Sequence, residues 1–131
     1  MKHFGTVAAS PCPRVAPLVL AALLLAAPAS AGTPAKGDPQ RGKAKYDALC
    51  VICHGANAKG DGPTARSLDP RPRDLTDAKY MAERSDQYLR DIILKGGGGV
   101  GKSPLMPPWN SQLNDADAAN VIAYLRSLAK K

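Results

Sequence analysis

Aromatic residues make up only 5% of this 131-residue chain. With so few large rings its own apolar core is thin, and a domain of this size buries only a modest share of its surface. Cysteine and histidine are also scarce, at three and two. No stretch alternates like a half-buried strand, and no internal repeat appears. No basic run is interleaved with aromatic residues, so the chain does not read as a nucleic-acid binder.

What is present begins with a leader. Lys2 and Arg14 form a basic start without acids, Val15 to Ala27 is apolar apart from Pro17, and Ala29-Ser30-Ala31 supplies small residues before Gly32. That order predicts a secretory signal over residues 1–31, cleaved after Ala31, and a periplasmic destination. An uncleaved anchor is the alternative, but the apolar stretch is short for a span and ends in Pro28. The remaining chain, residues 32–131, keeps sixteen of the eighteen basic residues and all eleven acids, for a net charge of +5. Its cations are scattered, among them Lys59, Arg66, Arg71, Arg73, Lys79, Lys95 and Lys102. Such a surface keeps a protein soluble and can steer an acidic partner.

Helix signals dominate residues 32–131. Asp38-Pro39 reads as an N-cap and a first helical position, with Gly42, Tyr46 and Leu49 at helical spacing up to Cys50. Residues 55–74 are rich in glycine, proline and charge and predict an ordered loop. Thr76 to Glu83 predicts a short helix capped by Thr76 or Asp77. Ser85 opens another, with Tyr88, Leu89, Ile92 and Ile93 on one face and Gly96 as its stop. Asn114 to Asp117 opens the last, whose apolar face is Ala118, Val121, Ile122, Leu125 and Leu128, with Arg126, Lys130 and Lys131 at its favourable end. The fold class predicted is small all-α with long Gly/Pro-rich loops.

Cys12 leaves with the leader, so Cys50 and Cys53 are the cysteines that matter. They are too close to act as a structural staple, because the loop they would close is tiny. Cys50-Val51-Ile52-Cys53-His54 is the c-type haem attachment pattern. Two thiols add across the two vinyl groups of one haem, and two intervening residues let both sulfurs reach the same porphyrin edge. The adjacent His54 ligates the iron. A zinc site would need two further ligands, and residues 32–131 hold no other cysteine or histidine. A thioredoxin-type dithiol needs a strand–helix setting that is missing. A plain disulfide leaves His54 unexplained. A large buried cofactor also supplies the apolar interior that the aromatic shortage denies.

A second iron ligand is expected from a thioether. Met81 and Met106 are the methionines outside the leader. Met106 lies in Ser103-Pro104-Leu105-Met106-Pro107-Pro108-Trp109, where prolines on both sides stiffen the backbone and fix the sulfur. Met81 sits in a helical stretch beside Tyr80 and reads as core packing. The expected iron is therefore six-coordinate and low-spin, bound by His54 and Met106, with a raised potential.

These residues resemble the small class I cytochromes c of bacteria, from Asp38 to Leu128. Three blocks carry the resemblance: the Gly42–Tyr46 helix leading into Cys50-Val51-Ile52-Cys53-His54-Gly55, the Gly60-Asp61-Gly62-Pro63 turn, and Met106-Pro107-Pro108-Trp109 ahead of a helix ending Ala123-Tyr124-Leu125. The resemblance implies one covalent haem c and an electron-transfer role without catalysis. It implies a close crossing of first and last helices at Gly42, with Tyr46 and Tyr124 packed nearby. It further implies that the Pro63 carbonyl accepts the ring N–H of His54, and that Trp109 and Arg73 serve the haem propionates.

One match misleads. Gly96-Gly97-Gly98-Gly99-Val100-Gly101-Lys102-Ser103 satisfies the phosphate-binding loop pattern. Such a loop follows a strand and opens a helix, whereas this run follows a helix and meets Pro104, so no nucleotide is expected. It reads instead as a flexible connector to Met106. The expectation is a soluble monomeric one-electron carrier serving a redox donor and acceptor. The alternatives are a haem subunit of a larger periplasmic oxidoreductase, and an enzyme or sensor with an open iron position.

Overall fold

The computed structural model describes residues 36–129, so the expected leader over residues 1–31 lies outside the described residues. The chain is held by its helix ends as much as by its core. Asp38 caps α1 (Pro39–Leu49), its carboxylate accepting from the Gln40 and Arg41 N–H groups. A short turn of helix, α2 (Val51–His54), follows at once. The loop after it holds one 3₁₀ turn at Ala65–Ser67. Asp77, one of the two expected caps, accepts from the Tyr80 N–H and opens α3 (Ala78–Ala82). Ser85 caps α4 (Asp86–Lys95), which stops at Gly96. Asn114 and Asp117 form a reciprocal capping box at the start of α5 (Asp115–Leu128). No strand occurs among the described residues, in line with the predicted all-α class. No helix among them is long and apolar enough to cross a membrane.

The packing centres on α1 against α5, with α4 laid against α5 as well. A side-chain carbon at Gly42 would run into the Asn120 carbonyl oxygen, so only glycine lets the two backbones meet there. The Tyr46 and Tyr124 rings pack beside this crossing with centroids 5.3 Å apart, tilted at 58°. Asn120 adds a tie absent from the sequence reading, its side-chain oxygen accepting the Asp38 N–H at 2.7 Å. Tyr46, Met81 and Val121 are the largest side chains fully removed from solvent. Arg126 does more than face the helix dipole. Its guanidinium donates to the Met81 and Arg84 carbonyls and meets the Asp86 carboxylate at 2.7 Å, pinning the α3–α4 corner to α5.

Candidate functional site

The motif that carries Cys50, Cys53 and His54 is gripped by its own following loop. The Gly60, Gly62 and Thr64 N–H groups donate to the His54, Cys53 and Ile52 carbonyls at 2.9, 3.2 and 3.1 Å. These carbonyls end a helix and have no partner within it, so the loop supplies their bonds. The Thr64 hydroxyl also donates to the Ile52 carbonyl at 2.9 Å and reaches the Cys53 sulfur at 3.4 Å. Tyr46 fastens the far end, its buried hydroxyl donating to the Gly55 carbonyl at 2.7 Å.

The segment carrying Met106 is pinned in the same way from the opposite side. The Trp109 and Asn110 N–H groups donate to the Ile93 and Leu94 carbonyls, each at 3.2 Å, and so close the last turn of α4. The Gly97 N–H donates to the Met106 carbonyl at 2.9 Å, and the Lys102 N–H to the Gly97 carbonyl at 2.8 Å. The tetraglycine is therefore not the flexible connector its composition suggests. It contains a 3₁₀ turn at Gly98–Val100, and Gly96 and Gly97 are buried. A side chain at Gly97 would strike the Ser103 carbonyl oxygen, which explains why the run is glycine there. No phosphate-binding strand–loop–helix exists here.

Between these two anchored segments lies a cleft of about 630 Å³. Cys50, Cys53, His54, Met106, Trp109 and Arg73 all line it. Its walls are otherwise mostly apolar, from α1, α4, α5 and the loops. Its charged lining side chains are Arg71, Arg73, Arg84 and Lys102, with no carboxylate among the lining residues. Met81 is buried elsewhere in the core, 1% exposed, as its helical setting predicted.

Cys50 and Cys53 are free thiols, not a disulfide. Burial, with Cys53 adding to it, pushes the Cys50 thiol up to about 11. That keeps Cys50 protonated at neutral pH, unlike the low-pKa thiolate of a redox dithiol. Burial lowers the His54 imidazole, opposed by the Arg73 main chain. The ring is therefore neutral, the form that ligates metals. Its Nδ1 atom is buried without a hydrogen-bond partner.

The expected bond from the His54 ring to Pro63 is absent. Pro63 is exposed and lines a separate depression of about 620 Å³ with Lys59, Asp61, Arg66 and Arg71, and the His54 Nδ1 has no hydrogen-bond partner. Arg73 has a neighbour that sequence reasoning did not supply, its guanidinium lying 4.8 Å from the Tyr80 ring centroid. Thr64, Tyr46 and the Gly97–Met106 bond also went unread as parts of the site, because each acts through a contact across loops.

The donor set suits a haem on observations of the chain alone. A flat apolar ligand bearing carboxylates matches an apolar cleft whose fixed charges are all positive. Separate thiols, a buried neutral imidazole with an unpartnered nitrogen, and an anchored thioether all face the same space.

Comparison with known proteins agrees. The cytochrome c family profile matches residues 39–129. Cytochrome c-554(547) of Halothiobacillus neapolitanus is 32% identical over 94 residues, covering 70% of this chain and 98% of that protein. Cytochrome c-555 of Chlorobaculum tepidum is 31% identical over 115 residues, covering 86% and 96%. The Cbb3-type cytochrome c oxidase subunit CcoP of Azospirillum brasilense is 29% identical over 89 residues, which span 68% of this chain but only 28% of that subunit. By a profile match across most of its length and relatives of its own size, the chain belongs to the cytochrome c family, and with it come one covalently bound haem c and a role in electron transport, not enzymatic catalysis.

Proposed function

We propose that Cys50 and Cys53 hold the haem through thioether bonds, that His54 and Met106 ligate its iron, and that the protein is a soluble one-electron carrier in the periplasm. The observation that carries this reading is the convergence of those four side chains on one apolar cleft without carboxylates. A haem bound there supplies reversible one-electron chemistry at iron. Each thiol would add its sulfur to one vinyl carbon and its hydrogen to the other, so attachment consumes no external electrons. His54, neutral and buried, presents a ring nitrogen without first losing a proton. Met106, hydrogen-bonded through its carbonyl to Gly97, presents its sulfur from a segment that cannot drift.

Electrons would enter and leave at the cleft mouth, where Ile52 and Leu105 line the opening and are 54% and 50% exposed. Arg71, Arg73 and Lys102 line the same cleft. An apolar contact flanked by cations suits donor and acceptor proteins with acidic docking surfaces. We further assign residues 1–31 to a cleaved export signal and residues 32–131 to the haem domain.

The partial match to CcoP favours a second reading, in which this chain serves as a haem component of one larger oxidoreductase. Purification from the native membrane and soluble fractions separates the two. A free carrier elutes alone as a monomer, whereas a dedicated subunit elutes with a stoichiometric partner. For the attachment itself, exported protein is denatured and run on a gel stained for haem. Wild type should retain haem, and the Cys50→Ala/Cys53→Ala double variant should retain none. Haem retained in the double variant would overturn thioether attachment.

A further inference from the structure

The depression that Pro63 lines is used by neither haem attachment nor iron ligation. Lys59, Arg66 and Arg71 line it, and Asp61 is the one acid that does. All three cations are exposed, and none of them forms an ion pair among the described residues. The Asp61 carboxylate is turned against Gly55, close enough that its Oδ1 would meet any side-chain carbon there. Asp74, whose carboxylate feels the Lys59 charge, gives its bonds to Thr76. The lining therefore carries three positive charges against one negative, a surplus of two.

The floor of the depression is built in advance of any ligand. Gly60 and Gly62 both line it, and their N–H groups donate to the His54 and Cys53 carbonyls at 2.9 and 3.2 Å. A side-chain carbon at Gly60 would strike the Pro72 carbonyl oxygen, and one at Gly62 the Val51 and Ile52 carbonyl oxygens. The two arms of the loop, around Gly60 and around Pro72, therefore meet backbone to backbone. Arg66 stands on the 3₁₀ turn between them, Ala65–Ser67. A volume of about 620 Å³ is that of a small-molecule site, and more than a bare phosphate fills. Guanidinium forks grip phosphate oxygens in pairs, and an ammonium adds a point charge. Two surplus positive charges match the nearly two negative charges of a phosphate monoester at neutral pH.

We propose that Lys59, Arg66 and Arg71 form a binding site for a phosphate group, carried by inorganic phosphate, a small phosphate ester or a phospholipid headgroup. Arg71 and Pro72 line both this depression and the haem cleft, so a bound anion lies across one shared wall from the cofactor. Its negative charge favours the oxidised, more positive centre. Filling the site therefore lowers the midpoint potential, and by reciprocity the oxidised protein binds the anion more tightly. The site stands on the depression alone, and its coupling to the potential rests on the reading that the cleft holds a haem.

The test is a titration of holoprotein with inorganic phosphate, followed by amide NMR shifts and by midpoint potential. Chloride holds the ionic strength constant, so that screening does not change. Shifts across residues 59–72 should saturate, and the potential should fall to a plateau. A hold on the oxidised protein that is about threefold tighter corresponds to a fall of about 30 mV, at about 59 mV per tenfold for one electron. Lys59→Gln and Arg66→Gln should each weaken binding about fivefold or more, as expected for loss of a charge-assisted hydrogen bond, and should keep the haem attached. Lys79→Gln removes an exposed charge outside both the depression and the cleft and should bind as wild type. Vesicles of phosphatidylglycerol identify the source of the phosphate. Sedimentation with them, reversed by inorganic phosphate and lost in Arg66→Gln, supports the site and assigns it to a lipid headgroup. Saturable phosphate binding without sedimentation supports the site and assigns it to a soluble phosphate. Shifts that do not saturate, or binding unchanged in Lys59→Gln and Arg66→Gln, would overturn the site. Saturable binding with an unmoved potential would overturn its coupling to the iron. Wild-type protein that loses its haem on denaturation would instead overturn the attachment, and would leave the site standing.

Discussion

The Gly97 N–H donates to the Met106 carbonyl at 2.9 Å, tying the start of the glycine run to the residue proposed as the second iron ligand. Met106 is thus positioned from two directions, by Gly97 on one side and by the Trp109–Ile93 bond on the other. A methyl group at Gly97 would collide with the Ser103 carbonyl oxygen. Gly97→Ala should therefore leave the haem attached but loosen the Met106 sulfur. Carbon monoxide binding to the reduced protein would report this as faster or tighter uptake than in wild type. Uptake identical to wild type would show that the glycine run does not govern Met106.

The two methionines separate ligation from packing. Met106→Ala should open the iron to exogenous ligands with little effect on folding. Met81→Ala should keep the ligation and cost about 2–5 kcal/mol, the range for emptying a buried site of that size. Ligand binding and denaturant unfolding on both variants check the pair. Unchanged ligation in Met106→Ala would transfer the role to Met81.

The crossing of α1 and α5 makes a separate demand. At Gly42 even one carbon meets the Asn120 carbonyl oxygen. Gly42→Ala should push the helices apart and cost about 1–3 kcal/mol, read as a lowered unfolding midpoint. An unchanged midpoint would mean that the crossing tolerates displacement.

Asp74 links stability to pH. Its carboxylate accepts from the Thr76 hydroxyl at 2.7 Å and the Thr76 N–H at 2.8 Å. Those bonds hold it below the usual carboxylate range. A group whose folded value is lowered contributes stability above its unfolded value, about 3.9 for aspartate, and loses it as pH falls through the folded value. Asp74→Asn should lie below wild type in melting temperature at neutral pH, and the gap should narrow under acid. Parallel curves across that range would contradict the assignment.

Much of this fold was legible because its helices announce their own ends. Asp38, Ser85 and Asn114 are capping residues followed by apolar spacing, and each opens a helix where the chain chemistry places it. The haem motif was legible because its residues are contiguous. What stayed hidden depends on partners distant in sequence. Gly96 to Gly99 reads as flexible until Met106, Lys102 and Ser103 are known to meet it. Arg126 reads as a cation at a helix end, yet its bonds run to residues 40 to 45 positions earlier. Arg84 and Tyr88 look like an ordinary surface charge and one member of an apolar stripe until the cleft places them side by side. Ala58 carries no sequence mark at all, although it is fully buried with φ of 58°, a region that alanine rarely adopts. Pro63 was assigned by resemblance, and the described residues show no hydrogen bond to it from the His54 ring.

The most direct test of the central claim is the visible absorption spectrum of the exported protein, oxidised and then reduced. His54/Met106 ligation of a covalent haem predicts low-spin c-type bands together with the weak long-wavelength band of iron–sulfur ligation, lost in Met106→Ala. A high-spin spectrum lacking that band in the wild type would contradict the ligand assignment and turn the account toward an open-site haem protein, and a colourless protein would contradict it entirely.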